Sequence, residues 1–384
     1  MAQPTDHGDI RTAIIVGGGV MGTAAASALA GRGVAVTVLE RYSIAHQWAS
    51  SHGLTRAIRH AYGPHAIYTQ MVTRSLALWD ELARETGRTL YTQTGVLTLG
   101  QADDGETLPG YDVMRGEGLP VERLTQAESR ARFPQFAVDD YDAITYISQG
   151  GMLYACECVL ALADRLRIRG GTLREGAQVV GVAPEGTDGA RGRVTLADGA
   201  TLTADRVIVT AGPWVHNVLG DLRLPVRATR QQVAYFRGLP PERFGVGAFP
   251  VFLAGMEYYG FPLQGPGWFK AASHIVGPND DPNVPYDPNP DEVEAVRGFL
   301  RRTIPEAADA PLALVDRCRY DMTPDEDFIL DTHPGGPGVI IGSGFSGHGL
   351  KFGVLIGELL AALALDETPA VPLDRFRLAR FAEV

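Results

Sequence analysis

Short apolar runs and amphipathic stretches follow one another along this chain in an order that predicts its layers. Residues 13–16 (Ala-Ile-Ile-Val) are apolar throughout, as a strand buried on both faces of a parallel sheet requires. Small residues continue a helix over 24–30, and 34–39 form a second strand of the same kind. Residues 66–86 carry Ile67, Met71, Leu78 and Leu82 at helical spacing, with Tyr68 and Trp79 expected in the core. Then the texture changes. Residues 91–99 alternate like a strand, Thr125 and Glu128 mark a capping box, and 141–146 read as another strand. An amphipathic helix over 156–170 ends in a Gly-Gly stop, and a hairpin turns at Asp198-Gly199. Residues 204–212 give a buried strand running into a small-residue turn, with Trp214 starting a helix.

The segment 223–320 is rich in Pro and Gly, with several strands and one helix near 291–303, which predicts a mainly antiparallel sheet. Residues 327–331 and 339–341 return to buried-strand texture, and 344–351 lead into a helix through 365. One layer is thus visited three times, by residues 1–87, 151–222 and 325–384, and a second domain, 88–150 and 223–324, is inserted in two pieces. The fold class is α/β: a doubly wound, Rossmann-like domain beside an α+β domain with a mainly antiparallel sheet.

The loop after the first strand carries the first chemistry. Gly17, Gly19 and Gly22 make G-x-G-x-x-G: one glycine for the tight turn, one for close approach to a pyrophosphate, one for helix–strand packing. Val20 and Met21 complete the turn, and Glu40 ends the second strand, eighteen residues after Gly22, where a carboxylate accepts ribose hydroxyls. Strand, helix, strand and terminal acid together point to a bound dinucleotide. The acid alone does not separate FAD from NAD. A second glycine-rich loop, 344–351, precedes a helix and makes an anion-receiving nest.

Composition narrows the partners. A net charge of −11 without a basic tract argues against nucleic acid and against an anionic membrane surface. Residues 354–365 are too short to span a bilayer and carry Glu358, and 1–11 show no secretory signal pattern. Three cysteines suit a reducing cytoplasm; Cys156 and Cys158 point to different sides of a helix and make a poor metal clip. Of the 34 basic residues only Lys270 and Lys351 are lysine. Lysine differs from arginine in being a compact ammonium whose pKa moves with its surroundings, so both positions become candidates.

Three clusters then show a family resemblance: His52 through Gly63 (HGLTRAIRHAYG), Cys318-Arg319-Tyr320 followed by Thr323 through Phe328 (TPDEDF), and the loop from Gly344 to Phe352. With them the chain resembles, over nearly its whole length, the FAD-dependent amine oxidases of the monomeric sarcosine oxidase and N-methyltryptophan oxidase family. The last two clusters sit closer to the N-methyltryptophan oxidase branch. The resemblance implies an oxidase that passes hydride from a secondary amine, an N-methyl or N-alkyl amino acid, to flavin N5. The imine hydrolyses, and O2 becomes hydrogen peroxide. It also implies a cytoplasmic monomer whose FAD is joined by a thioether to Cys318.

The same resemblance assigns residues. Arg59 and Lys351 are similar to a pair that grips the substrate carboxylate, and Lys270 to a lysine over the flavin that promotes reaction with oxygen. Tyr259, His274 and Tyr320 match residues around the amine. Arg56 and His52 match the loop beside the flavin ring, and Arg317, Arg319 or Arg56 are candidates to favour the Cys318 thiolate. Arg41, Ser51, Thr55, Ala211, Gly212, Trp214, Gly347, His348, Gly349 and Leu350 complete the expected cofactor residues. Two departures concern the substrate: Leu350 stands where the family has phenylalanine, making room for a larger group, and the stretch 249–258 is shorter. Alternatives are a glycine-oxidase-like or biosynthetic flavoenzyme acting on a larger N-carboxymethyl or cyclic amine, and a non-catalytic flavin protein or NAD-dependent Rossmann protein.

Overall fold

The computed structural model describes residues 10–255 and 257–381. The reading of 1–9 as free of a leader segment lies outside the described residues, as does Met256 in the shortened stretch.

Six strands form the first sheet, in the spatial order Ile329–Thr332, Val339–Ser343, Arg206–Val209, Thr12–Val16, Ala35–Leu39 and Thr172–Arg174. All neighbours are parallel except the first pair. Buried on both faces, these strands are near-continuous apolar runs. The helices Val20–Gly31, Ala155–Ile168 and Gly353–Ala364 cover one face, and a three-stranded sheet, Val179–Glu185, Arg191–Leu196 and Thr201–Ala204, covers the other. Close approach of two helices depends on Gly357, where a Cβ would stand 2.4 Å from the Cβ of Ala24. That separation is a clash no side chain tolerates.

The second layer is an eight-stranded sheet whose neighbours are antiparallel except for the parallel pair Val96–Gly100 and Val251–Ala254. Its back is closed by the helix Pro290–Thr303 and by Phe244, Phe252 and Phe269, all fully buried. Each contributes about 1.5–3 kcal/mol of apolar burial, so the back face is held by hydrophobic contact. On the front face Lys270 stands among apolar side chains that include Val251, Phe261, Val233 and Tyr235. No helix among the described residues is long and apolar enough to cross a membrane.

Local expectations fail in two places. The run 91–99 is not one strand but two, Tyr91–Gln93 and Val96–Gly100, which join different sheets. Gly95 breaks it with φ +70, at a point where a Cβ would meet the Tyr146 hydroxyl at 2.2 Å and its ring at 2.6 Å. In the helix Ala66–Thr86 the buried stripe runs through Tyr68, Met71, Val72, Ser75, Trp79 and Leu82, leaving Ile67 and Leu78 half exposed.

Candidate active site between the two layers

The chain leaves the strand Thr12–Val16 and turns at Gly17, φ +104, into the helix Val20–Gly31. A Cβ on Gly22 would lie 1.9 Å from the Gly17 carbonyl oxygen, and one on Gly17 2.5 Å from that of Thr210, so the turn excludes every larger residue. Beyond the next strand, Glu40 accepts the Gly18 amide at 2.7 Å and the Tyr42 amide at 2.8 Å, with His46 Nε2 at 3.3 Å. Burial pushes this carboxyl up, but hydrogen bonds from His46, Tyr42 and Gly18 prevail and hold it below the ordinary value.

These groups edge a cavity of about 1350 Å³, its open mouth included. Gly17, Gly19, Val20, Met21, Glu40, Arg41 and Ser51 line one end. Ala211, Gly212 and Trp214 form a side wall, where the Trp214 indole (3.2 Å) and Arg41 (2.8 Å) both donate to the Asn283 carboxamide oxygen. Arg56, Tyr320, Gly347, Gly349 and Leu350 line the other end. A second cavity of about 900 Å³, open space included, shares Arg56, Tyr320, Gly347 and Leu350 with the first, and its walls include Arg59, Tyr259, His274, Cys318, His348 and Lys351. Gly22, His52, Thr55 and Lys270 line neither cavity.

Two basic side chains in the wall of the second cavity, Arg59 and Lys351, converge on one ring, that of Tyr62. Arg59 places its guanidinium carbon 4.3 Å from the centroid of Tyr62, and Lys351 Nζ lies 5.3 Å from it. Lys351 donates to the Tyr62 hydroxyl and the His348 carbonyl, both at 2.7 Å, while Arg59 donates to the Ala61 carbonyl. Trp79, which the sequence reading placed in the core, is fully buried and also holds the backbone carbonyl of Lys351 at 2.8 Å. Burial, with Arg59 adding to it, pushes the Lys351 amine well down. His274 is likewise driven down to about 4 by burial, then by Arg59 and Lys351. Among the described residues the partners of Arg59 and Lys351 are carbonyls and a phenol, never a carboxylate. A buried charge without a counter-ion costs several kcal/mol, so this corner is short of one anion.

Lys270, which lines neither cavity, is fully buried, with Nζ 2.8 Å from the Thr55 carbonyl oxygen and 4.6 Å from the Phe261 ring centroid. Burial and then Arg56 push its amine well down. Cys318 Sγ lies 3.6 Å from the Arg56 guanidinium. The other two arginines weighed for that thiol turn elsewhere: Arg319 pairs with Asp280, and Arg317 donates to the Tyr286 carbonyl. His52 faces Asp316 at 3.1 Å and is driven down to about 4, by burial first and then by Arg56. Tyr259 and Tyr320 line the second cavity together, and the His274 and Tyr320 ring centroids are 5.9 Å apart.

Residues 12–363 match the family described as FAD dependent oxidoreductase (DAO). The chain belongs to that family. This oxidoreductase is 33% identical over 385 residues to the peroxisomal sarcosine oxidase of Homo sapiens, which covers 97% of both chains. It is 33% identical to the N-methyl-L-tryptophan oxidase of Yersinia pestis (strain Pestoides F), over 96% of this chain and 98% of that one. Among solved structures, the L-proline dehydrogenase of P. horikoshii superposes with a TM-score of 0.85 over 97% of this chain and 98% of that one, at 20% identity, a likeness of fold.

The oxidoreductase offers FAD a cradle that fits. The glycine turn leaves no room for larger side chains, Glu40 is held in its ionised form beside it, and the cavity shares Arg56, Tyr320, Gly347 and Leu350 with the one lined by Arg59 and Lys351. Sequence reasoning missed Tyr62, which lay inside a quoted cluster but stood out by no periodicity. It also missed His46, Asp316 and Asn283; the last comes from a Pro-rich loop with no pattern to mark it.

Proposed function

We propose that this FAD-dependent enzyme oxidises a secondary amine that carries a carboxylate, an N-methyl or N-alkyl amino acid, to an imine that water hydrolyses. One observation carries the reading: Arg59 and Lys351, both in the wall of the second cavity, meet at the Tyr62 ring, and among the described residues neither has a carboxylate partner. A substrate carboxylate is the anion this corner lacks, and two donors fixing it hold the amine in one place. Bound FAD supplies the two-electron acceptor and, once reduced, the donor to O2, giving H2O2. Lys270 then serves as the fixed positive charge that favours electron transfer to oxygen. The names of the two enzymes compared above, which concern sarcosine and N-methyl-L-tryptophan, support the same class.

Finer assignments belong to the same proposal. Cys318, with Arg56 beside its sulfur, is the site of a thioether to the cofactor. Tyr259, His274 and Tyr320 shape the amine's surroundings. Segments 1–87, 151–222 and 325–384 hold the cofactor and 88–150 with 223–324 hold the amine, in a cytoplasmic monomer. Leu350, in the wall shared by both cavities, favours an N-alkyl group larger than methyl. The test is a panel of sarcosine, N-methyltryptophan, glycine and pipecolate, scored by anaerobic flavin bleaching. Bleaching by the N-alkyl amino acids and peroxide formation in air are expected. Bleaching by glycine or pipecolate alone moves the substrate to the alternative class, and none at all overturns the reading.

A further inference from the structure

The eight-stranded sheet has a gap beside the amine cavity. The strands Arg227–Phe236 and Trp268–Ser273 are paired only from Ala234 with Ala271 to Phe236 with Phe269. Further along, the chain that follows Ser273 returns to the Arg227–Phe236 strand. There the Arg230 amide donates to the Pro278 carbonyl at 2.9 Å, and Thr229 bridges Asn279. Between these two closures Gln231, Gln232 and Val233 have no ladder partner on that side among the described residues. Gly277 holds the far lip close, since a Cβ there would stand 2.0 Å from the Arg230 carbonyl oxygen.

A third cavity, about 670 Å³ with open space included, is lined by both lips of this gap and by the helix Pro290–Thr303 behind it. It shares Gln231 and Tyr258 with the amine cavity. The two come from opposite faces of the sheet. Gln231 alternates with Val233 and Tyr235 toward the front. Tyr258 turns back and stacks on Phe299 of the helix, ring centroids 4.4 Å apart, which makes it a fixed wall. The second and third cavities thus meet through the sheet.

Their junction carries a donor with nothing to bond. Gln231 is only 6% exposed, and its Nε2 has no hydrogen-bond partner among the described residues. A buried donor without an acceptor is costly, and folded proteins rarely keep one that no water or ligand completes. Its neighbour Gln232 is spent on Asn289, donating to its carbonyl at 2.8 Å and accepting its amide at 2.7 Å. Ser273 Oγ accepts the Ile275 amide at 3.1 Å, which leaves the O–H as a second donor in the same cavity. Among the described residues the one charged side chain in this lining is Glu292.

Resting on the reading of the second cavity as a secondary-amine site, we propose that the third cavity receives a long arm on the substrate nitrogen and that Gln231 selects a carbonyl oxygen on that arm. The substrate class is an N-alkyl amino acid with its carboxylate at Arg59 and Lys351. Its other arm passes between Gln231 and Tyr258, and Gln231 Nε2 donates to the carbonyl oxygen at the junction. Beyond that point the arm is aliphatic, against Val276, Val293 and Val296. It ends neutral or cationic, because a second carboxylate would face Glu292.

The test uses ligands with no amine to oxidise: alkylthioacetates, R–S–CH2–COO−, in which sulfur replaces the nitrogen. They are titrated into holoenzyme, and binding is read from perturbation of the flavin spectrum. Hexylthioacetate should bind at least roughly tenfold tighter than methylthioacetate. Among hexyl chains with one ketone oxygen at successive carbons, one isomer should bind about tenfold tighter than the others. Gln231→Leu, close in shape but without the donor, should level the isomers and keep the gain from chain length. Ala295→Trp, at an exposed helix position in the lining of the third cavity, should remove the gain from chain length. Each comparison is a ratio within one protein, so a loss of folded fraction does not move it. No gain from methyl to hexyl, a gain that survives Ala295→Trp, or an isomer preference that survives Gln231→Leu overturns the proposal. Bleaching by sarcosine in an enzyme where hexyl gains nothing removes the third cavity and leaves the amine-oxidase reading. The expected ratios in an enzyme that no amine bleaches do the reverse.

Discussion

Lys270 on the eight-stranded sheet ends 2.8 Å from the backbone carbonyl of Thr55, on a strand of another sheet. The contact fixes the ammonium in a fully buried position among Phe261, Tyr235 and Arg56. A charge held there rigidly needs no reorganisation when oxygen becomes charged beside it, which is where electrostatic catalysis gains most. Lys270→Met is expected to leave anaerobic bleaching by substrate within a few-fold of wild type. Reoxidation of the bleached enzyme by air-saturated buffer should slow by roughly 100- to 1000-fold.

Among the described residues Arg59 has no carboxylate partner; it donates to the Ala61 carbonyl. Arg59→Gln removes a charge-assisted pair with the substrate carboxylate and is expected to lower kcat/KM by roughly 100-fold or more for N-alkyl amino acids. An N-alkyl amine lacking the carboxylate should react equally poorly with both proteins. Equal losses on both kinds of amine would show that Arg59 acts on something other than the acid group.

Arg56 alone, of the three arginines first considered, reaches the Cys318 sulfur. Acid-precipitated wild-type protein should therefore stay yellow, while Cys318→Ser gives a white pellet and a yellow supernatant. Arg56→Met, which removes the guanidinium beside the sulfur, should show a slowly yellowing pellet on incubation with added FAD.

Leu350 lies in the wall common to both cavities. Leu350→Phe fills space there and should lower kcat/KM about tenfold for bulky N-alkyl amino acids, while sarcosine is affected much less. Ratios of initial rates across the amine panel provide the measurement.

Glu40 is held below its ordinary value of 4.5 by bonds to its ionised form. The sign follows from linkage: the folded state binds this proton less tightly than the unfolded chain does. Glu40 therefore stabilises the fold above about pH 4.5, and the contribution fades as pH falls through its depressed folded value. Glu40→Gln should lower the melting temperature of the apoprotein at pH 7, with the gap to wild type narrowing below pH 4.5. The variant should also retain FAD less well during dialysis when Cys318 is serine.

The dinucleotide turn, the acid at its far end and the parallel strands between were legible in sequence, because each rests on neighbours within a few dozen residues. Gly22 must be glycine for a local reason, the Gly17 carbonyl 1.9 Å from where its Cβ would be. Trp79 was equally legible as core, as an aromatic on a helix. The position of Lys270 against Thr55 depends instead on two sheets meeting, and the two positions are separated by 215 residues. Nothing periodic records such a meeting. Gly95 shows the same limit on a smaller scale: alternation continued through it, yet its neighbours send the two halves to different sheets.

By itself, then, the sequence determined the cofactor-binding layer and supplied two lysines among many arginines, since local spacing and residue type are written residue by residue. Tertiary structure alone decided that Arg59 and Lys351, nearly three hundred positions apart in effect, share the ring of Tyr62, and that only Arg56 reaches Cys318. The reason is physical. Electrostatics at a site depends on distances of a few ångström in space, and only packing of the whole chain sets those.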